Sequence, residues 1–228
     1  MKKSLFVLAT AALVALPGTA SAQGFGIAGR AGTLGVGAEA ALGLSDAFVI
    51  RGGLGLLPIE TDISDLVDVG TNAKVNLTFP KTWANIGADL YLGGSMRIGG
   101  GILFKPDNPE VEGSLTAGGK FEIGGKEYTV SEVAAVKGTL NAKKQVPYFL
   151  VGFGKHTKSG IGLFLDVGGA YLGDNALELS ATGNPAVINS ADFQTRLNQE
   201  EKDILEELPV WARKFWPILS IGIKLGIG

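Results

Sequence analysis

The chain has 228 residues, a formal charge of −2, 46% hydrophobic residues, 35 glycines and no cysteine. The missing cysteine excludes disulfides, thiol chemistry and cysteine–zinc sites. No basic block with interleaved aromatics is present, which argues against nucleic-acid binding, and glycine spread through apolar segments argues against a mainly helical protein.

Lys2 and Lys3 precede the apolar run Leu5–Leu16, which Pro17 and Gly18 break before the small residues Ala20-Ser21-Ala22. This is the pattern of a Sec-type signal peptide over 1–22, with export and a mature domain spanning 23–228. Beyond Leu16 no apolar run reaches the roughly 18 to 20 residues of a spanning helix. An exported, apolar, glycine-rich chain of this kind is either a soluble β-sandwich or an outer-membrane β-barrel.

Along the chain, segments of period 2 follow one another. Leu34, Val36, Ala38, Ala40 and Leu42 alternate with Thr33, Gly35, Gly37 and Glu39; Phe48, Ile50, Leu54 and Leu56 alternate with Arg51, Gly53 and Gly55. In the stretch 82–105, Ala84, Ile86, Ala88, Leu90 and Leu92 oppose Trp83, Asn85, Gly87, Asp89 and Tyr91. After Gly93-Gly94, the residues Met96, Ile98, Ile102 and Phe104 oppose Ser95, Arg97, Gly99 and Gly101. Further segments centre on Phe149–Phe153, Ile161–Val167 and Leu219–Ile227. Side chains on a strand alternate between faces, so each segment has one greasy face and one small or polar face. Seven such segments match the signature of transmembrane strands. The second face is mostly glycine with single charges, unlike the Lys-, Glu- and Thr-rich outer face of a sandwich; it suits the interior of a narrow tube.

Connections at 44–47, 93–94 and 156–160 are short, whereas those at about 60–72, 106–145 and 174–214 are long. Short turns alternating with long loops are the build of outer-membrane barrels. On this pattern, carried best by residues 30–53 and 216–228, the chain resembles the small bacterial outer-membrane barrels of the OmpA, OmpX and OmpW type. It departs from them in ending at Gly228, where that class ends in an aromatic residue. The resemblance implies an all-β, antiparallel transmembrane barrel of eight strands, outer-membrane lipid around it and the barrel-assembly machinery as partner during biogenesis. The eighth strand is expected within 111–125, within 176–182, or in a segment merged with another.

Six isolated charges face inward on this reading: Glu39, Arg51, Asp89, Arg97, Asp166 and Lys224. Glu39 with Arg51, and Asp89 with Arg97, flank short turns and are expected to pair across strands, with Asp166 and Lys224 completing a balanced plug. Leu57, Leu103, Leu150 and Phe164 hint at an apolar inward face near the mouth, the feature a narrow conduit for small apolar molecules would need. His156, beside Thr157 and Ser159, is read as a solvated turn residue rather than a catalytic one, so neither catalysis nor a metal or cofactor is expected. Phe193, Leu197, Ile204, Leu208, Trp211 and Phe215 form a helical stripe that begins after Asn189 or Ser190 and is interrupted at Pro209. Trp83, Trp211 and Trp216 are expected as interface anchors, the last two alongside Arg213 and Lys214. The expected role is non-enzymatic: envelope integrity, or contact with a surface partner through loops 106–145 and 174–214.

Overall fold

In a computed structural model, the described residues are 24–64, 72–173, 176–207 and 209–227. The segment expected as a signal peptide, the expected mature start at Gln23, Leu208 and the terminal Gly228 lie outside them.

Eight strands form a closed antiparallel barrel: β1 (Phe25–Gly32), β2 (Val36–Gly43), β3 (Phe48–Leu56), β6 (Thr82–Gly93), β7 (Met96–Phe104), β12 (Gln145–Phe153), β13 (Gly160–Tyr171) and β15 (Phe215–Ile227). Their order is β1-β15-β13-β12-β7-β6-β3-β2, and β2 closes the ring on β1. The eighth strand is thus β1, which lies in none of the expected places: it precedes the first segment read from the sequence, which began at Thr33, directly after β1 ends. Leu34, expected on the greasy outer face, belongs to the turn between β1 and β2 and buries itself in the lumen.

The outer face is an apolar belt. Ile161, Leu163, Leu219, Ile221 and Ile223 are each more than half exposed, which in water would be untenable and in a bilayer is the expected surface of a transmembrane barrel. Three short turns (44–47, 94–95 and 154–159) mark one end, here the turn end, where Phe25 and Ile227 also lie paired. Gly94 takes φ +56° in the tightest of them, a left-handed conformation that costs glycine nothing.

At the opposite, loop end, the long connections are not irregular loops. They supply β4 (Glu60–Asp62), β5 (Ala73–Thr78), β8 (Glu110–Leu115), β11 (Val133–Asn141) and β14 (Ala176–Gly183), a five-stranded sheet in the order β14-β11-β8-β5-β4. The segments 111–125 and 176–182 contribute to this subdomain and not to the barrel. A hairpin, β9 (Lys120–Ile123) with β10 (Lys126–Thr129), and the helices α1 (Pro185–Ile188), α2 (Ala191–Glu207) and α3 (Val210–Lys214) complete it. Its own core joins Phe121, Ile123, Tyr128, Val133, Phe193 and Leu197.

Helix α2 begins where expected. The Ser190 hydroxyl accepts from the Phe193 amide at 3.2 Å, and Asp192 lies in the first turn. It ends before Pro209. Two of its acids serve as staples: Glu200 accepts from the Gly124 amide (2.9 Å) and Glu201 from the Leu179 amide (2.6 Å). The second satisfies a backbone donor on edge strand β14, which blunts that edge against pairing with another chain. The helical stripe is shorter than its sequence pattern. Phe193 and Leu197 are buried, but Trp211 is 68% exposed on α3 and Phe215 already belongs to β15.

Candidate functional site

The lumen is filled in layers. Alternation along the strands aims every second side chain inward, and glycines on neighbouring strands make room for the large ones. A Cβ on Gly53 would lie 2.9 Å from that of Glu39, one on Gly162 would lie 2.7 Å from Lys224 Cε, and one on Gly152 would strike the Arg97 guanidinium at 2.6 Å. Glycine on the inner face is therefore the counterpart of the inward charges.

The middle layer is an ion-pair network. Arg51 reaches Asp166 at 2.8 Å through Nη1, Asp89 at 3.0 Å through Nε, and Glu39 at 3.5 Å. Arg97 faces Asp89 as an ion pair, Nε to carboxylate at 2.9 Å, and donates to Asp166 through Nη2. Arg30 lies 3.7 Å from Glu39 and donates to Asn85 at 2.9 Å. All these side chains are buried. Three acids meet three arginines, and two of the acids each bridge both Arg51 and Arg97.

Glu39 and Arg51 do pair, as do Asp89 and Arg97, but the expected pairs are parts of one connected layer. Asp166 is a full member, bridging Arg51 and Arg97 as Asp89 does, and Arg51, facing three acids, is the hub. Lys224 takes no part: its ammonium donates to the carbonyls of Gly160 (2.8 Å) and Lys158 at the turn end. Arg30 escaped the sequence reading because the strand carrying it was not recognised, although it stands alone among Gly and Ala in "FGIAGRAG" like the other inward charges.

His156 is not solvated. It is 1% exposed, with Nε2 at 2.5 Å from Glu39 and its amide donating to the Tyr91 hydroxyl at 3.1 Å. Its ring packs against Phe164 at 4.5 Å. A short turn was expected to face water. Here the turn folds back because a buried carboxylate awaits the imidazole, and nothing in the local sequence signals that. The remaining nitrogen, Nδ1, lies 3.5 Å from the Tyr91 hydroxyl, so both edges of the ring face groups held inside the barrel.

Above the charges, towards the loop end, the lumen is apolar. Leu34, Trp83, Leu103, Val146, Leu150 and Ile218 are buried in one cluster, with Leu57 and Trp216 packed against it. The Trp83 and Trp216 rings are 5.0 Å apart, and Phe79 meets Trp216 edge-on at 5.8 Å. Two of the three expected anchors are thus misplaced. Trp83 is fully buried and Trp216 turns inward onto it, because aromatic bulk fills the widening mouth of the tube. Only Trp211 is well exposed. Phe164, grouped with the apolar mouth by sequence, lies lower, against His156.

Between the two layers a cavity of about 10 Å³, lined by Arg30, Arg51, Asn85, Tyr148, Asp166 and Ser220 among others, has room for about one water molecule. Among the described residues no group of three or more His, Asp or Glu has the arrangement of a metal site.

The chain is similar in structure to CarO2 of Acinetobacter baumannii, with a TM-score of 0.60 and 18% identity over 90% of this chain and 98% of that one. It is also similar to CarO of the same organism, with a TM-score of 0.57 and 16% identity over 88% and 96%. At such identities the likeness is one of fold. No protein-family model and no curated protein matches the sequence.

Proposed function

We propose that the protein is a closed outer-membrane barrel whose work is done outside it: the barrel anchors the subdomain of β4, β5, β8–β11 and β14, which faces the exterior and meets a surface partner. Segment 1–22 directs export, and the barrel is inserted by the assembly machinery. The observation that carries this reading is the continuous filling of the lumen, ions below and tryptophans above, with space for only about one water between. An eight-stranded barrel packed in this way has no aqueous channel. A non-enzymatic role is supported by His156, whose ring faces Glu39, Tyr91 and Phe164 rather than an open cleft.

The test is planar-bilayer conductance of the refolded mature protein beside Arg51→Ala/Arg97→Ala. A silent wild type supports the closed anchor, with a leak expected only when Trp83→Ala is added to the double variant. Steady conductance in the wild type favours a second reading, a narrow conduit, for which the apolar layer of Leu34, Leu103 and Leu150 is the supporting feature.

A further inference from the structure

Of the three turns at the turn end, two behave as turns ordinarily do. Residues 44–47 and 93–95 are exposed. The third, 154–159 between β12 and β13, is drawn into the tube: His156 is 1% and Thr157 6% exposed. Glycines bracket it, Gly154 at φ +103° and Gly160 at φ +87°, a backbone region that side-chain-bearing residues avoid.

Its hold on the barrel is made of side chains gripping its backbone. Arg97 donates to the Gly154 carbonyl at 2.7 Å, Tyr91 to the same carbonyl at 3.3 Å, and Lys224 to the carbonyls of Lys158 and Gly160. The turn contributes one side-chain bond to the ion-pair layer, from His156 to Glu39. A turn that was simply the end of a hairpin would need none of these clamps, and its backbone groups would be satisfied by water.

We propose that the 154–159 turn is a stopper hinged at Gly154 and Gly160, latched by the Glu39–His156 bridge and the Lys224 clamp, which swings out to open the lower lumen. Its release leaves the Trp83 layer in place. The stopper is thus a conformational device of the barrel floor, separate from whether the whole tube conducts. Swinging out exposes Arg97, Asp166 and Glu39 to the solvent at the turn end, so the state of the turn is coupled to the ion-pair layer.

Because the chain has no cysteine, one introduced thiol reports on the turn. Thr157→Cys in the folded barrel is reacted with a membrane-impermeant maleimide, with Ser45→Cys as the exposed reference and Ala170→Cys, in the apolar layer with Trp83, as the buried reference. The expected result is slow labelling of Thr157→Cys, accelerated at least tenfold by Glu39→Gln and also by Lys224→Met, with Ala170→Cys remaining slow. The Lys224 variant leaves the ion-pair layer untouched and serves if the Glu39 variant does not fold. Equal rates with and without the latch substitutions overturn the proposal. So does labelling of Thr157→Cys as fast as Ser45→Cys in the otherwise unaltered protein, or acceleration at Ala170→Cys alongside it, which would mean general loosening.

Discussion

Arg51 and Asp166 meet at 2.8 Å across the lumen, although 115 residues separate them and their strands, β3 and β13, are not neighbours in the ring. The contact spans the tube rather than a strand pair, so it closes the barrel in a way that no hairpin could. Removing one partner of a buried pair leaves the other charge uncompensated, at a cost of about 3–5 kcal/mol.

Arg51→Ala should therefore destabilise the barrel by roughly that amount, because Asp89, Asp166 and Glu39 all lose a cation. Asp166→Asn should cost less in the Arg51→Ala background than alone, since the uncompensated charge is then partly relieved. Urea unfolding in lipid vesicles measures both. Strict additivity would show that the two side chains do not act as one unit.

Glycines offer a second test, because their two faces have different duties. A Cβ on Gly152 would meet Arg97 Cζ at 2.6 Å and press on Asp166, whereas one on Gly29, on the lipid-facing side, would meet nothing within 4 Å. Gly152→Ala should cost about 1–3 kcal/mol by overpacking. Gly29→Ala should be neutral, or stabilise by up to about 1 kcal/mol through the smaller entropy lost on folding. Equal effects at the two positions would contradict the assignment of faces.

This distinction of faces was legible in the sequence. Period 2, the inner glycines and the lone charges were enough to place Glu39, Arg51, Asp89, Arg97 and Asp166 inside, since each rests only on strand geometry. What the pattern could not convey is distance around the ring. Pairing was inferred across turns, so Asp166 looked peripheral and Arg30 was lost with its strand. The inward fold of His156 depends on a contact with Glu39, 117 positions away in the chain. Likewise the tryptophans were judged by residue type, but Trp83 has the parity of the inner face and alternation alone could have placed it there. The long connections gave no barrel-like period, and their strands pair only with one another.

The tryptophans give a third prediction. In variants keeping a single tryptophan, with Phe at the other two positions, lipids brominated near the headgroup should quench Trp211 strongly and Trp83 hardly at all. Trp211 is exposed on α3 immediately before β15, and amphipathic rings favour the membrane interface. Trp83 is shielded by the barrel wall. Quenching of Trp83 to a similar extent would contradict its place in the lumen, and an unquenched Trp211 would lift α3 clear of the membrane. Trp83→Ala should in addition cost about 3–5 kcal/mol, the usual penalty for emptying an aromatic site in a packed core.

Acid should loosen the outer subdomain before the barrel. Bonds from Arg196 and Lys126 hold the Asp192 carboxyl below its ordinary range, the Thr129 amide and hydroxyl do the same for Glu132, and Ser64 does so for Asp62. For each, the folded-state value is the lower one. The stability these groups contribute is therefore present above their unfolded values and is lost as pH falls through the folded ones. All three are exposed, so each contribution is small and screened by salt. Amide exchange in α2 and the β9–β10 hairpin, compared at pH 7 and pH 3, should quicken at the lower pH while that of β13 and β15 does not. Asp192→Asn should remove part of the difference, because it abolishes the proton-sensitive bonds to Arg196 and Lys126 without touching the Phe193–Tyr128 contact that holds the helix to the hairpin. An unchanged pH response in that variant would place the sensitivity elsewhere, in Glu132 or Asp62.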